Sequence, residues 1–336
     1  MNALDPQRWP RALRCVLARQ VQRRTARRAW ATIVTYHAVS DIPPPLPDWC
    51  VLDVATFRRQ VRYLQRHFDV LPLSELAVRV AEGTLDRPTA AITLDDGFRN
   101  SHTQAYPILR EAGLPATVFL TTGLVGREST TWPGVLHAAL ARTQVPTLAW
   151  QDAVYDLRTP VARLATAAAL RARLKRLPQP RLDATVRAIA ADLGCDADAP
   201  VDLDSPYRML DATDIAAMQA AGGIAFGAHT HTHTILSVLP EAQRHEQIAR
   251  SVEAVARLTG APCRLFAYPN GRAEDYTPDA LHTLRACGVT TAVTAIPGPN
   301  PPGTPTLELQ RYGVGPDLDF DAFQLRVHHA GPPLPA

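Results

Sequence analysis

The sequence has few of the features that mark membrane, disulfide-rich or nucleotide-binding proteins. No apolar run approaches the ~18 residues of a membrane-spanning helix. The five cysteines are widely spaced and form no C-x-x-C pair, which argues against a disulfide framework and a structural zinc ribbon. No glycine-rich phosphate loop follows any predicted strand. A nucleotide-binding enzyme is therefore the least favoured interpretation.

Lysine is almost absent, because Lys175 is the only one among 35 lysine and arginine residues. We interpret this bias mainly as the result of GC-rich coding. The net charge of +3 is too small to imply nucleic acid binding by itself. Hydrophobic residues make up 46% of the chain, enough for a sizeable core, which excludes a mainly disordered protein.

Residues 1–30 contain eight arginines and apolar residues at helical spacing, such as Trp9, Leu13 and Val16. Such a helix either lies on an anionic membrane surface or packs against the domain with a solvated arginine face. A secretory signal contains an uninterrupted apolar stretch of ~7–15 residues, whereas arginines interrupt every apolar run before Trp30. We therefore predict a cytoplasmic location, with peripheral contact to the inner membrane face through residues 1–30 as a hypothesis.

From residue 31 onwards, short β-rich runs alternate with helical patterns. The strand candidates are ATIVTY (31–36), AAITLD (90–95), ATVFLT (116–121), IAFGAH (224–229), CRLFAY (263–268) and TTAVTA (290–295). This alternation predicts a parallel β/α architecture, a barrel or a doubly wound sheet, with chemistry at the carboxyl ends of its strands. We assign residues 31–330 to one domain, with a helical insertion at about 126–210 and a tail at 331–336.

Two adjacent carboxylates, Asp95 and Asp96, directly follow the second predicted strand. Their side chains point in different directions, so one can bind a metal ion while the other acts as a base beside it. Gly97 permits a sharp turn there. The alternative is an ordinary helix cap, a common use of aspartate after a strand.

Three histidines, His229, His231 and His233, alternate after the strand that ends at Ala228. Histidines at i and i+4 converge on one ion when the segment turns helically. Together with an aspartate they supply three ligands and leave positions open for water, as in a catalytic metal site. The alternative is a surface loop that happens to be rich in histidine.

Two further strand ends carry polar groups. Tyr36 and His37 end the first strand, and residues 264–271 run from a strand into a tight turn. Exposed N–H groups in such a turn can face an oxyanion.

In combination, these motifs resemble those of the polysaccharide deacetylases, the NodB-like domain of carbohydrate esterase family 4. Thr93–Gly97 resembles the family's T-F-D-D-G motif, His229–His233 its H-[S/T]-x-x-H motif, and Phe266–Gly271 its F-A-Y-P-x-G motif. The resemblance covers roughly residues 31–125 and 211–330. It implies an α/β fold, a distorted (β/α) barrel of the NodB-like type with a helical insertion.

The resemblance also implies roles for individual residues. Asp96, His229 and His233 would hold one divalent metal ion, most commonly Zn²⁺. Asp95 would be the general base that activates water at the metal, and the backbone N–H of Asn270 would help to stabilise the oxyanion. His231 falls on a variable position of the motif and stays outside the ligand set.

The chain departs from the family pattern at two places. Ala267 stands where the family has an arginine that orients the base, and Arg264 or Arg311 is expected to substitute for it. The late motifs that supply the general-acid histidine are absent. Similar members that are circularly permuted carry this histidine in an N-terminal Y-H motif, so the resemblance implies that His37 is the acid.

The resemblance implies a hydrolase that removes N-acetyl groups from the amino sugars of a polysaccharide, an oligosaccharide or a lipid-linked glycan intermediate. Its partner would be an N-acetylated glycan, with no role for nucleic acid. Two alternatives stay open. The same site could act on a non-sugar amide or imide, or the chain could be a catalytically silent carbohydrate-binding relative.

Overall fold

The computed structural model of the protein describes residues 30–179 and 181–329. The hypotheses on the Arg-rich N-terminal segment, apart from Trp30, and on the tail at 331–336 lie outside these residues. None of the helices within the described ranges combines the length and the hydropathy needed to cross a bilayer.

Strands and helices alternate along the chain, as the hydrophobic pattern predicts. The strands are β1 (Ala31–Tyr36), β2 (Ala38–Ser40), β3 (Val51–Asp53), β4 (Asp69–Val70), β5 (Thr89–Leu94), β6 (Ala116–Leu120), β7 (Thr147–Trp150), β8 (Ala153–Asp156), β9 (Ile224–Ala228), β10 (Leu265–Ala267), β11 (Thr291–Val293) and β12 (Tyr312–Gly313). The helices are α1 (Val54–His67), α2 (Leu73–Glu82), α3 (Tyr106–Ala112), α4 (Trp132–Arg142), α5 (Pro160–Leu174), α6 (Arg181–Asp192), α7 (Ala212–Ala221), α8 (Glu241–Thr259), α9 (Pro278–Ala286) and α10 (Phe320–Val327). A π-helical turn (Ser101–Ala105) precedes α3, and a 3₁₀ turn (Leu236–Val238) precedes α8.

Eight strands form one parallel sheet in the order β11-β10-β9-β6-β5-β1-β12, and β4 pairs with the first residues of β5, Thr89 and Ala90, ahead of those that pair with β6. Residues 309–313, which include β12, lie between β11 and β1. Leu309 forms a bridge to Val293 of β11, and Tyr312 pairs with Val34 of β1. This closing segment therefore joins both edges and gives the curled sheet its barrel character.

Both faces of the sheet are buried, which explains the nearly continuous apolar strands. Ile33, Ala91 and Phe119 belong to the inner cluster that packs on α2. Alternate residues such as Val34 and Ile92 belong to the main core with the surrounding helices. Because side chains alternate between the faces of a strand, Asp95 continues the inner row of Ala91 and Thr93.

The helices expected within the insertion are present as α4, α5 and α6. They form a separate hydrophobic cluster around Leu140, Leu170 and Ile189. An antiparallel hairpin, β7–β8, lies between α4 and α5 and was not expected from the sequence. Its strands are only four residues each, too short for a period-two pattern to stand out from the helical sequence around them.

One buried histidine near the end of the described chain makes stability depend on pH. His328 contacts the Tyr63 hydroxyl at 3.0 Å and stacks on Phe68. Burial and the neighbouring His67 lower the pKa of His328 to about 4. The unfolded chain binds a proton at this histidine below pH ~6.5, whereas the folded chain does not until the pH approaches that lower value.

We therefore expect acid to destabilise the protein through His328, with the loss beginning below pH ~6.5 and complete near the folded pKa. This group should lower the free energy of unfolding by about 2 kcal/mol between pH 8 and pH 5. Urea unfolding of His328→Gln at both pH values should show a difference smaller by that amount. His282→Gln, at an exposed position of α9, is the control. An unchanged pH dependence in His328→Gln would contradict the prediction.

Candidate active site

The polar residues singled out in the sequence meet at one edge of the sheet. Asp95 and Asp96 follow β5, His229 follows β9 and His37 follows β1, so the carboxyl ends of three parallel strands converge there. All four residues line one cavity of about 380 Å³. Chemistry at the carboxyl edge, as the alternating pattern predicts, therefore has an enclosed space in which to occur.

Asp96, His229 and His233 form a compact group of ligand atoms. The Oδ1 atom of Asp96 lies 3.1 Å from Nε2 of His233 and 3.5 Å from Nε2 of His229. One potential ligand atom from each residue lies within 4.8 Å of the other two. The turn of the segment after β9 thus brings the i and i+4 histidines onto one point.

The bonding of this group fits a metal ion. The Asp96 Oδ1 atom is buried and accepts no hydrogen bond from any described residue. His229 donates its Nδ1–H to the carbonyl of Ala267 at 2.8 Å, which directs Nε2 towards Asp96. Metal-binding histidines are commonly oriented by such a bond. One carboxylate and two imidazoles suit zinc, with open positions for water and substrate.

Electrostatics keep Asp96 ionised. Burial by itself would raise the pKa of Asp96, but the imidazoles of His233 and His229 outweigh burial and hold the pKa well below its usual range. A cation at the same point would favour the carboxylate further.

The backbone around these ligands is strained. Asp96 (φ 72°), His233 (φ 57°) and Asn270 (φ 61°) are non-glycine residues in the left-handed region. Such conformations cost roughly 1–3 kcal/mol each and persist only where the surrounding structure imposes them. Gly97 (φ 82°) follows Asp96 and completes the turn that points the Asp96 carboxylate at the histidines.

Asp95 is held by a buried ion pair with Arg311. The guanidinium donates from Nη1 to Oδ1 at 2.7 Å and from Nη2 to Oδ2 at 2.8 Å. Arg311 is 1% exposed, and it also donates to the hydroxyls of Thr35 and Thr93. Burial would raise the pKa of Asp95, but the charge and hydrogen bonds of Arg311, with help from His229, lower it. Asp95 is therefore a carboxylate able to accept a proton.

Of the two arginines expected to replace the missing one, only Arg311 reaches Asp95. Arg264 is exposed and precedes β10, so it lies at the amino end of its strand, across the sheet from the site. The expectation for Arg264 is wrong for this reason. Arg311 belongs to the closing segment, whose side chains enter the inside of the barrel between β1 and β11.

His37, which follows β1, lines the same cavity. Its ring packs edge-to-face on Trp49, with ring centroids 4.8 Å apart, and its buried Nδ1 atom has no hydrogen-bond partner among the described residues. Burial lowers the pKa of His37, although the carboxylates of Asp96 and Asp95 oppose this effect. The imidazole is thus available for proton exchange within reach of the cavity.

Asn270 occupies the turn after β10. Its side-chain carbonyl accepts a hydrogen bond from Lys175, and its amide donates to Asp275. Its backbone N–H donates to no described residue. At Gly271, an added Cβ would lie 2.7 Å from the backbone nitrogen of Ala295, so only glycine allows this close approach.

The structure adds pocket residues that the motifs do not indicate. Trp49 at the rim, and Arg171 and Lys175 from the insertion, line the cavity, as does Trp132. The status of Lys175 as the single lysine is the one signal in the sequence that could have drawn attention to it. His231, by contrast, lies outside this lining and contacts the Thr122 hydroxyl at 3.0 Å.

Comparisons with known proteins agree with this geometry. A family model described as polysaccharide deacetylase matches residues 82–149 and 207–292. Over 74 residues the chain is 34% identical to the poly-beta-1,6-N-acetyl-D-glucosamine N-deacetylase of Staphylococcus aureus. This match covers 22% of this chain and 26% of that protein. The matched segment thus spans about a quarter of the length of the curated relatives.

Two solved structures are similar over most of the chain. The Streptococcus pyogenes deacetylase PplD, in complex with acetate, has a TM-score of 0.59 at 15% identity and covers 89% of this chain and 98% of its own. IcaB from Ammonifex degensii has a TM-score of 0.58 at 19% identity and covers 90% and 98%. These likenesses confirm the predicted fold class, a distorted (β/α) barrel of the NodB-like type.

We expect the protein to bind one divalent ion per chain at Asp96, His229 and His233. Elemental analysis after dialysis against Zn²⁺ should show one equivalent in the unmodified protein and little in Asp96→Ala, because three ligands are the minimum for a tight site of this kind. His231→Ala is the matched control, since His231 lies between the two histidine ligands in sequence but outside the group. Equal metal loss in both variants would contradict the assignment.

We expect Arg311→Met to lower the free energy of unfolding by about 3–5 kcal/mol, because it leaves the Asp95 carboxylate buried without its cation. Urea unfolding at pH 7.5 provides the measurement. Arg264→Met removes an exposed arginine and should change stability by no more than about 0.5 kcal/mol. A loss of similar size in both variants would show that the Asp95–Arg311 pair has no special role.

Proposed function

We propose that this chain is a metal-dependent hydrolase of the polysaccharide deacetylase type, whose family model matches residues 82–149 and 207–292, and that it removes N-acetyl groups from amino sugars. The substrate would be a polysaccharide, an oligosaccharide or a lipid-linked glycan. The observation that carries the proposal is the convergence of Asp96, His229 and His233 beside the arginine-bound carboxylate of Asp95 in one cavity.

A divalent ion at Asp96, His229 and His233, with zinc as our proposed ion, would supply Lewis acidity to the acetamide carbonyl and to water. The chain provides the rest of the chemistry. Asp95 would take a proton from the attacking water, a step of general-base catalysis worth about 10²–10⁴ in rate. Arg311 keeps the Asp95 carboxylate ionised and fixes its orientation through two parallel hydrogen bonds.

The two remaining roles fall on Asn270 and His37, which both line the cavity. The backbone N–H of Asn270 would donate to the oxygen that becomes negative as the tetrahedral centre forms. The His37 imidazole would give a proton to the departing amine, which then leaves as a free amino group on the sugar. The strained turn at Asn270 is consistent with a backbone donor held in place before substrate arrives.

Two observations support a glycan over a small amide. Trp49 is 54% exposed at the rim beside His37, where its flat face can pack against a sugar ring. The S. aureus relative is named for an N-acetylglucosamine polymer. A silent relative would be favoured if Asp95 had no arginine partner, but Arg311 supplies that partner.

We expect Asp95→Asn to retain one equivalent of metal while acetate release from N-acetylglucosamine oligomers falls by about 10²–10⁴, because the amide cannot act as a base. The assay measures acetate released by the zinc-loaded protein, with small amides and cyclic imides as competing substrates. Asp86→Asn, at an exposed position, is the control and should keep full activity. Full activity of Asp95→Asn would refute the base assignment, and faster turnover of the imides would refute the glycan assignment.

A further inference from the structure

The helical insertion places positive charge inside the catalytic cavity. Arg171 and Lys175 are four residues apart at the end of α5, so they lie on one face of the helix, and both line the cavity. Arg272, from the turn after Asn270, lines it as well. We refer to Arg171, Lys175 and Arg272 as the cationic wall.

Lys175 is the most unusual member of the cationic wall. In a chain that otherwise uses only arginine as its basic residue, the one lysine points into this cavity and donates a hydrogen bond to the Asn270 side chain. Burial lowers the pKa of Lys175, and the charges of Arg272 and Arg171 lower it further, while the Asp275 carboxylate opposes them. Several like charges held close together are costly unless an anion compensates them.

The carboxylates near the wall compensate it only in part. Asp48 lies 3.7 Å from Nη1 of Arg171, but it also accepts a hydrogen bond from the Tyr207 hydroxyl at 2.8 Å. Asp275 accepts from Asn270 and from the backbone N–H of Arg272. Glu274 also lies 3.9 Å from Nη1 of Arg272, but both side chains are at least half exposed, so solvent screens this pair. Three carboxylates thus lie near the three cations, but Asp48 and Asp275 also serve other donors.

The two carboxylates of the hydrolytic centre, Asp95 and Asp96, already have partners of their own. Asp95 is paired with Arg311, and Asp96 lies between the two histidines. Neither is free to pair with the cationic wall, so the wall side chains can still donate hydrogen bonds to a ligand.

The wall is directly connected to the reaction site. Lys175 contacts the side chain of Asn270, and the backbone N–H of the same residue is our proposed oxyanion donor. A group bound by the wall would therefore lie next to the acetamide that is hydrolysed. One substrate molecule can therefore carry both groups.

We propose that the cationic wall binds an anionic oxygen group, a phosphate or a carboxylate, carried by the substrate beside the N-acetylated sugar. The inference rests on the proposed function and narrows it to anionic glycans. Arginine forks suit the planar or tetrahedral oxygens of such groups, and the lysine supplies a compact charge.

The kinetic test compares neutral and anionic acetylated sugars with the zinc-loaded protein. The substrates are N-acetylglucosamine oligomers, N-acetylglucosamine 1-phosphate and an oligomer that alternates N-acetylglucosamine with a uronic acid. Arg171→Gln and Arg272→Gln should raise KM at least about tenfold for the phosphate or the uronate substrate, and change it less than twofold for the neutral one. Arg173 lies on the same helix, α5, but does not line the cavity, so Arg173→Gln should change KM for neither the anionic nor the neutral substrate.

An equal effect of these variants on neutral and anionic substrates would overturn the proposal, as would no effect on either. Which anionic substrate responds identifies the phosphate or the carboxylate as the ligand. Lys175→Arg should preserve the preference for the anionic substrate, whereas Lys175→Met should lose it. A fall in kcat alone in Lys175→Met, equal for all substrates, would instead show that Lys175 only positions Asn270.

A binding measurement separates this inference from the proposed function. Because Lys175 is the single lysine of the chain, ¹⁵N-lysine labelling gives one side-chain ammonium resonance. Titration with N-acetylglucosamine 1-phosphate or glucuronate should shift this resonance in the unmodified protein and in Arg173→Gln. In Arg272→Gln, the same shift should require at least about tenfold more of the anion. Neutral N-acetylglucosamine should leave it unshifted.

A shift of the Lys175 resonance without any acetate release would support anion binding by the cationic wall and refute the deacetylase assignment. Acetate release with no shift from either anion would support the deacetylase assignment and refute anion binding by the wall.

Discussion

The buried ion pair between Asp95 and Arg311 is the interaction on which the site depends. It joins the end of β5 to the closing segment, and the two residues are 216 positions apart in the chain. Removing two charges from water is costly, and the cost is met here by two parallel hydrogen bonds together with the hydroxyls of Thr35 and Thr93. The same pair closes the barrel from within and keeps the proposed base ionised. The Asp95–Arg311 contact therefore serves both the closure of the barrel and the proposed chemistry.

Around this pair, a rigid sheet supports strained turns. Asp96, His233 and Asn270 each adopt a left-handed conformation at the carboxyl edge of the sheet. The strands behind them are buried on both faces, so they cannot relax to relieve that strain. The surrounding sheet thus fixes the backbone that carries the ligand group, which limits the reorganisation that binding requires.

The insertion contributes side chains to the cavity of the barrel. It has its own hydrophobic cluster and so keeps its helices in place without drawing on the barrel core. From this base α5 presents Arg171 and Lys175 to the cavity, and Lys175 reaches Asn270. The proposed catalytic residues come from the barrel, and two of the three residues of the cationic wall come from the insertion. Under our proposals, hydrolysis and recognition of the anionic group are therefore carried by different parts of the chain.

Local patterns in the sequence determined the strands, the carboxyl edge and the residues that meet there. Alternation of side chains along β5 separates Asp95 from Asp96, and the i, i+4 spacing brings His229 and His233 together, because both effects act within a few residues. Only the tertiary structure decided between Arg311 and Arg264, and only it placed Lys175 beside Asn270. These contacts join residues 216 and 95 positions apart, so they depend on strand order, barrel closure and the docking of the insertion, which no local periodicity encodes.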